Sequence, residues 1–549
     1  MKIVRFFVPA LAGLLAVSWS ARAQFATSVV SYNSGTGFAA NFTNPAVALG
    51  KPAATTSVTP LAPAFSSSQL VSLGTNGSLT LQFNPPIVHF PSNPYGLDFQ
   101  VYGNSFFINT GGGVTSGLIG GNNPGGTRVE VSADGSNWFT LNPALTPTVD
   151  SYYPTDGPGD PGIPVNPALT ASDFNGKNLA GIRSLYAGSA GGGGFNLAWA
   201  QDTNGDPIDL SIARFVRIDV LTNKSEVDAV SEVRPTLPGF AEDFFSDPAL
   251  DGWSVFGPTN LFHWNSTNQN LEVTWDSSQS NAYFFHPLGT TLSRDDDFQI
   301  SFDIELFDIL AGVNPDKPDA IEVAVGFLNY ADATGAFVRG APAYPVASPD
   351  PKNLVEFDYF PYFVDPFAGP IEPSISPTMV SSAYQFDGAF GDFFTFTNNS
   401  KYTVHMSYTA VNQTLTTTVT PAGQTNALIV ASSTLSGTND FRADTFSITS
   451  YTDIGDPYDS LLAHGTIDNV IVTLPPPPIQ KLAGSVTNNT WQAQFASRSN
   501  WVYTLQRTAD FNSWTPASAP ITATGTNLTL QDTNSPTDKA FYRVSAARP

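Results

Sequence analysis

The sequence predicts an all-β protein, built of jelly-roll β-sandwich domains in series and ending in a small C-terminal β-sandwich. Three observations carry that prediction. Alternation of apolar and polar residues, the period-2 signature of a half-buried strand, recurs in SLTLQF (78–83), RVEVSA (128–133), FVRIDV (215–220), FQISFDIEL (298–306), IEVAVGF (321–327), KYTVHMSY (401–408), TLTTTVT (414–420) and TIDNVIVTL (466–474). Turn signals such as NPGG (123–126), DGSNW (134–138) and TNGD (203–206) separate these runs. Helical periodicity is almost missing, which leaves stacked antiparallel sheets as the means of burying one face of each strand.

Composition agrees and excludes several functions. A chain of 549 residues is too long for one core. Only 13% of residues are charged while 12% are aromatic, the reverse of the disorder signature. Cysteine is absent, which removes disulfides, thiolate metal sites and thiol nucleophiles. The first residues, MKIVRFFVPALAGLLAVSWSARAQ, place Lys2 and Arg5 before an apolar run and Ala21-Arg22-Ala23 after it, so 1–23 is expected to be a secretion signal cut before Gln24. The run is shorter than a bilayer span, and no later segment is long and apolar enough to insert in a membrane. The mature protein is therefore expected to be secreted, extracellular or held at the cell surface. Of the 23 Lys and Arg, removing Lys2, Arg5 and Arg22 leaves 20 against 46 Asp and Glu, a balance that repels phosphate backbones. Nucleic acid is not an expected partner.

Two boundaries stand out. RPTLPGF (234–240) ends one strand pattern before AEDFFSDPALDGW begins another, and the four prolines of LPPPPI (474–479) favour a stiff extended spacer. The expected organisation is a first domain over 24–236, a second over 239–474, a proline linker at 475–478 and a third domain over 479–549.

Several motifs are read as structural. In DTNGDPID (202–209), Asp202, Asn204 and Asp206 fit the first ligands of a calcium loop, but Pro207 stands where glycine is needed and Ala213 where an acid is needed, which favours a hairpin turn. GSAGGGG (188–194) lacks the Lys-Ser/Thr of a phosphate loop and reads as a flexible loop. Trp138, Trp199, Trp253, Trp264 and Trp275 sit within strand patterns and read as core, and Asp295-Asp296-Asp297 reads as a solvated turn. His263, His286, His405 and His464 show no metal-binding spacing, and no GxSxG elbow is present.

The first domain's RVEVSADGSNWFTL (128–141) and ARFVRIDV (213–220), with GLDFQVYGNSFF (96–107), FNLAWAQDTNGDPIDL (195–210) and SEVDAV (225–230), resemble the discoidin-like, galactose-binding-like jelly roll. That resemblance implies binding of sugars or cell surfaces through loops at one end, with a structural calcium in many relatives. The second domain, closing on HGTIDNVIVTL, resembles the concanavalin-like or laminin-G-like sandwich, in which the early strands lie beside the last one. NWVYTLQRTADFNSWTPA (500–517) and DKAFYRVSAARP (538–549) look like a fibronectin-like or immunoglobulin-like domain, with Tyr503, Trp514 and Tyr542 as core. Together the three resemble secreted multidomain β proteins of Verrucomicrobia-like or Planctomycetes-like bacteria.

The stretch LVEFDYFPY (354–362) decides between enzyme and binder. In a strand, Glu356 and Asp358 leave the same face. The glycanases of the concanavalin-like fold carry a third acid on that strand, and retaining hydrolysis needs two carboxyls about 5 to 5.5 Å apart. Here the third position is Phe360 or Pro361. VEFDYFPYFVDP also resembles the metal-binding segment of legume lectins, which implies Glu356, Asp358 and Asp365 as metal ligands and calcium as a structural cofactor, although Tyr362 replaces the lectins' Asn. The plainer reading puts both acids on one face of a sheet, with Tyr359 and Phe363 on the other. The leading expectation is a non-catalytic carbohydrate-binding or adhesion protein whose partner is an extracellular polysaccharide or glycan. A glycan hydrolase or lyase and a structural matrix protein are the alternatives.

Overall fold

In a computed structural model of the chain, the described residues are 25–52, 57–121, 123, 126–335, 352–365, 369–389, 391–454, 458–488, 490–536 and 540–549, with Asp365 described in its backbone alone. The expected secretion signal, 1–23, lies outside them. The structure is all-β, made of antiparallel sheets stacked in pairs. The chain divides into two compact units, one running to Thr473 apart from Thr290–Leu292, the other made of Thr290–Leu292 and Leu474–Pro549.

Within the larger unit, a six-stranded sheet has the order Ser28–Asn33, Gly77–Val88, Ile212–Val220, Thr127–Ser132, Phe139–Leu141, Ala200–Gln201. Its alternating apolar residues, among them Leu79, Leu81, Val131, Val216 and Ile218, pack on Phe99, Val101, Val227 and Val230 from shorter ladders. These residues are the apolar half of the period-2 runs, so alternation alone sets which side is buried.

Two eight-stranded sheets follow. The first is ordered Phe262–Asn265, Asn270–Asp276, Leu461–Thr473, Phe298–Ala311, Lys401–Thr409, Thr414–Pro421, Ile429–Thr434, with Gly239–Glu242 also on Leu461–Thr473. The closing strand thus lies beside the earliest strands of its sandwich, as expected. The second is ordered Ser254–Phe256, Ala282–Leu292, Ala443–Ser450, Val323–Leu328, Leu354–Phe360, Ser374–Val380, Phe386–Asp387, with Asp392–Phe393 also on Ser374–Val380. The two stack through aromatic residues, Phe298 on Phe327 at 5.3 Å and Phe302 on Phe357 at 5.9 Å between ring centroids.

The six-stranded sheet and the first eight-stranded sheet meet. Val88, Phe90 and Ile212 form one apolar cluster with Ile471. Buried Arg214 pairs with Asp243, and its guanidinium lies 3.5 Å from the centroid of Phe245.

The smaller unit holds a three-stranded sheet, Ile479–Thr487, Thr490–Ser497 and Asn527–Asp532, and a four-stranded one centred on Val502–Thr508. Phe495, Trp501, Tyr503, Leu505 and Leu530 fill its core.

Several expectations change. The glycine run is not a flexible loop: residues 189–192 are buried, a Cβ on Gly191 would come within 2.4 Å of the Pro154 carbonyl, and one on Gly192 within 2.9 Å of the Tyr102 ring. Glycine is needed there for close approach. Asp296 is buried, not solvated, because it accepts hydrogen bonds from Ser293 at its amide (2.9 Å) and hydroxyl (3.3 Å). Phe363 does not back the Glu356 strand; it belongs to a separate ladder, Phe363–Asp365 with Gly369–Ile371. Trp514 is half-buried under Arg543, and Tyr542 stacks half-buried on Trp491 at 4.1 Å, so Tyr503 alone of that trio is in the core. The prolines of 475–478 are tied to their own unit, Pro478 accepting from the Tyr503 hydroxyl at 2.6 Å and Pro476 from Arg498 at 3.0 Å. The turn at 202–206 forms as expected, with Asp202 Oδ1 accepting from the amides of Asn204 (2.8 Å) and Asp206 (2.9 Å).

Candidate functional site

Leu354–Phe360 is an interior strand of the second large sheet, paired with Val323–Leu328 on one side and Ser374–Val380 on the other. Phe357 and Tyr359 point into the core, Tyr359 meeting Phe396 at 4.8 Å. Alternation then sends Glu356 and Asp358 together to the other face, as the spacing requires. Register extends that face into two polar rows. Glu356 lies across from Gly326 and Thr378, and Asp358 from Ala324 and Ser376, with Ser447 and Thr449 one strand further on. Hydroxyls within the rows bond each other, Ser376 with Thr378 at 3.1 Å and Ser447 with Thr449 at 2.7 Å.

Both acids are buried, Glu356 at 2% exposure and Asp358 at 0%. The Tyr451 hydroxyl donates to Glu356 Oε2 at 2.8 Å. Burial and then the Glu356 charge hold the Tyr283 phenol well above its ordinary pKa. None of the residues directly across from the two acids carries a carboxyl. The side chain of Asp365 lies outside the described residues, and among those residues no group of three carboxylates or imidazoles is placed to hold a metal ion. The donor set present, two acids amid hydroxyls with one already accepting from a tyrosine, fits a buried hydrogen-bonded layer better than a calcium cage, which takes six to eight oxygen ligands.

The first large sheet presents a different surface. In KYTVHMSY and TLTTTVT the apolar residues and Thr417 face the core, leaving most of the other polar ones half-exposed on the outer face beside the exposed Lys401. Pairing aligns them in two rows, Thr473–Gln299–Ser407–Thr416–Ser432 and Ile471–Ser301–His405–Thr418–Val430. Neither row contains a charged side chain. Thr416 and Ser432 share a hydrogen bond of 3.0 Å across strands.

Where the six-stranded sheet overhangs this face, a cleft of about 430 Å³ opens. Gln299, Ser301, His405 and Thr418 form its floor, and His89, Pro91, Asp209 and Ser211 its opposite wall. His89 Nδ1 sits 3.0 and 3.1 Å from the two oxygens of Asp98. Asp98 is fully buried and is also held by Asn93 Nδ2 (2.8 Å) and the Leu197 amide (2.7 Å). Burial opposes protonation of His89, but the hydrogen bond and charge of Asp98, with the charge of Asp209, outweigh it, and its pKa is raised. Burial alone pushes His405 down.

Sequence reasoning missed this cleft. Its two walls are separated by more than 80 residues along the chain, and no spacing rule joins His89 to His405. The available signal was the hydroxyl-rich, charge-free alternation of 403–420.

No family model matches the chain, and no curated protein sequence matches it. Among solved structures, it is similar to peanut lectin with a nine-residue peptide (12% identity, 44% of this chain and 99% of that chain covered, TM-score 0.27), to the seed lectin of Lotus tetragonolobus (14%, 44% and 100%, 0.27) and to the lectin of Bauhinia forficata in complex with GalNAc (11%, 43% and 99%, 0.26).

Proposed function

We propose that this chain is a secreted or surface-held, non-catalytic carbohydrate-binding protein. The observation that carries the reading is the outer face of the first large sheet, where the half-exposed or exposed hydroxyl, amide and imidazole groups of Gln299, Ser301, His405, Ser407, Thr416, Thr418 and Ser432 align across strands without a charged side chain among them. Such groups both donate and accept hydrogen bonds, as sugar hydroxyls do, and the rows hold no Lys or Arg to attract phosphate, Lys401 on the same face being paired with Asp468. On the Glu356 strand itself, Phe360 and Pro361 stand where the glycanases carry their third acid, which favours binding over hydrolysis.

A glycan array probed with the full chain, run with and without EDTA, tests the proposal, together with analysis of each bound glycan for newly released reducing ends. Retention of selected glycans with no new ends is expected. No retention on any glycan would overturn carbohydrate binding, and release of new ends would replace it with hydrolysis. Binding lost in EDTA would tie calcium to the function, whereas binding unchanged would remove calcium from it. Export is tested separately by sequencing the N-terminus of the mature protein, which is expected to begin at Gln24.

A further inference from the structure

We propose that the cleft between the six-stranded sheet and the outer face of the first large sheet is a dedicated site for a short, uncharged saccharide, gripped from two sides by the two sandwiches. This rests on the carbohydrate reading and assigns it a place.

Four observations carry it. The first is size: about 430 Å³ lies within the usual range for small-ligand pockets, roughly 300 to 1,000 Å³. The second is an orphaned group. Thr473 is 5% exposed, lines the cleft, and its Oγ1 has no hydrogen-bond partner among the described residues. A buried hydroxyl without a partner is unfavourable, and this one borders the cleft.

The third is preorganisation. Asp98 takes up Nδ1 of His89 and is itself fixed by Asn93 and Leu197, which leaves Nε2 as the nitrogen available to a ligand in an orientation already set. A carboxylate bonded to the far nitrogen of the ring in this way fixes its orientation and tautomer. The walls are held in register too, by the Asp209 amide donating to the Gly423 carbonyl at 3.3 Å and by the Val88, Phe90, Ile212 and Ile471 cluster.

The fourth is the chemistry of the lining. No Lys or Arg contributes, which disfavours an anion, and no Phe, Tyr or Trp contributes. The polar lining consists of threonine and serine hydroxyls, one glutamine, two imidazoles and the single carboxylate of Asp209, a set matched to a polyol, beside the apolar Pro91, Ile300, Ala427 and Ile471.

The test uses the full chain and the glycans retained on the array, with isothermal titration of their shortest soluble forms. Thr425 lines the cleft yet is exposed, so Thr425→Trp obstructs the opening without disturbing the core. His89→Ala removes the preorganised wall. Both are expected to weaken short-saccharide binding by tenfold or more, with Thr425→Trp keeping the wild-type melting temperature. Leu250→Ala, at a position 80% exposed and outside both the cleft lining and the sheet rows, is expected to leave short-saccharide affinity within about twofold. Undiminished binding by folded Thr425→Trp and His89→Ala would overturn the cleft while leaving carbohydrate binding intact. Failure of the wild type to bind any glycan would overturn both.

Discussion

Gly326 and Glu242 show what single residues contribute. Gly326 faces Glu356 across the strand pair, and a Cβ there would lie 2.4 Å from Glu356 Cα and from the Val355 carbonyl. Gly326→Ala is therefore expected to push the Leu354–Phe360 strand aside and lose about 1 to 3 kcal/mol of stability, the usual range for overpacking; urea unfolding checks it. Glu242 is buried, accepts from the Phe244 amide at 2.7 Å, and is pushed by that burial up to about 8 from an ordinary 4.5. Between those values the folded chain holds a proton that the unfolded chain has released, so this group makes stability fall as pH rises through that window. Glu242→Gln keeps the acceptor and removes the titration. The variant is expected to match wild type near pH 4.5 and to exceed it by up to a few kcal/mol at pH 8, since each unit of pKa difference is worth about 1.4 kcal/mol. A gain that does not change between the two pH values would contradict this.

At the scale of strands, alternation did most of the work. The runs at 215–220, 298–306, 401–408 and 414–420 lie within strands and that at 128–133 does so up to Ser132, and their apolar residues other than Phe215 turn inward, because a half-buried strand leaves little other choice of face. The pairing of Glu356 with Asp358 was legible for the same reason. Their burial was not, since it depends on what covers the face, and strand periodicity says nothing about that. The glycine run misled for a related reason: glycine marks both mobile loops and places where backbone passes close to another group, and only the neighbours of Gly191 and Gly192 distinguish the two. Tyr451 tests the buried layer. Tyr451→Phe deletes the donor to Glu356 and is expected to lose about 1 to 3 kcal/mol, measured by thermal or urea unfolding, with no change in glycan retention. A loss of retention would place the Glu356 face in the binding site instead.

At the scale of the molecule, the joined sandwiches matter more than either alone, because the cleft exists only where they meet. Arg214 is the residue to probe: it is 3% exposed, paired with Asp243 and stacked over Phe245. Removing one partner of a buried pair costs about 3 to 5 kcal/mol. Arg214→Ala is expected to lower the melting temperature and to weaken short-saccharide binding together, whereas a melting shift without any change in binding would show that the junction does not shape the site. The most direct measurement of the central claim is titration of the full chain with glycans selected on the array, comparing wild type with a Thr416→Arg/Ser432→Arg variant that places charge on the neutral sheet rows and with the Thr425→Trp cleft variant. Wild-type binding that is insensitive to ionic strength, lost for long polysaccharides in the first variant and for short saccharides in the second, is the predicted result. Binding of the same glycans, at the same affinity, by both variants would contradict it.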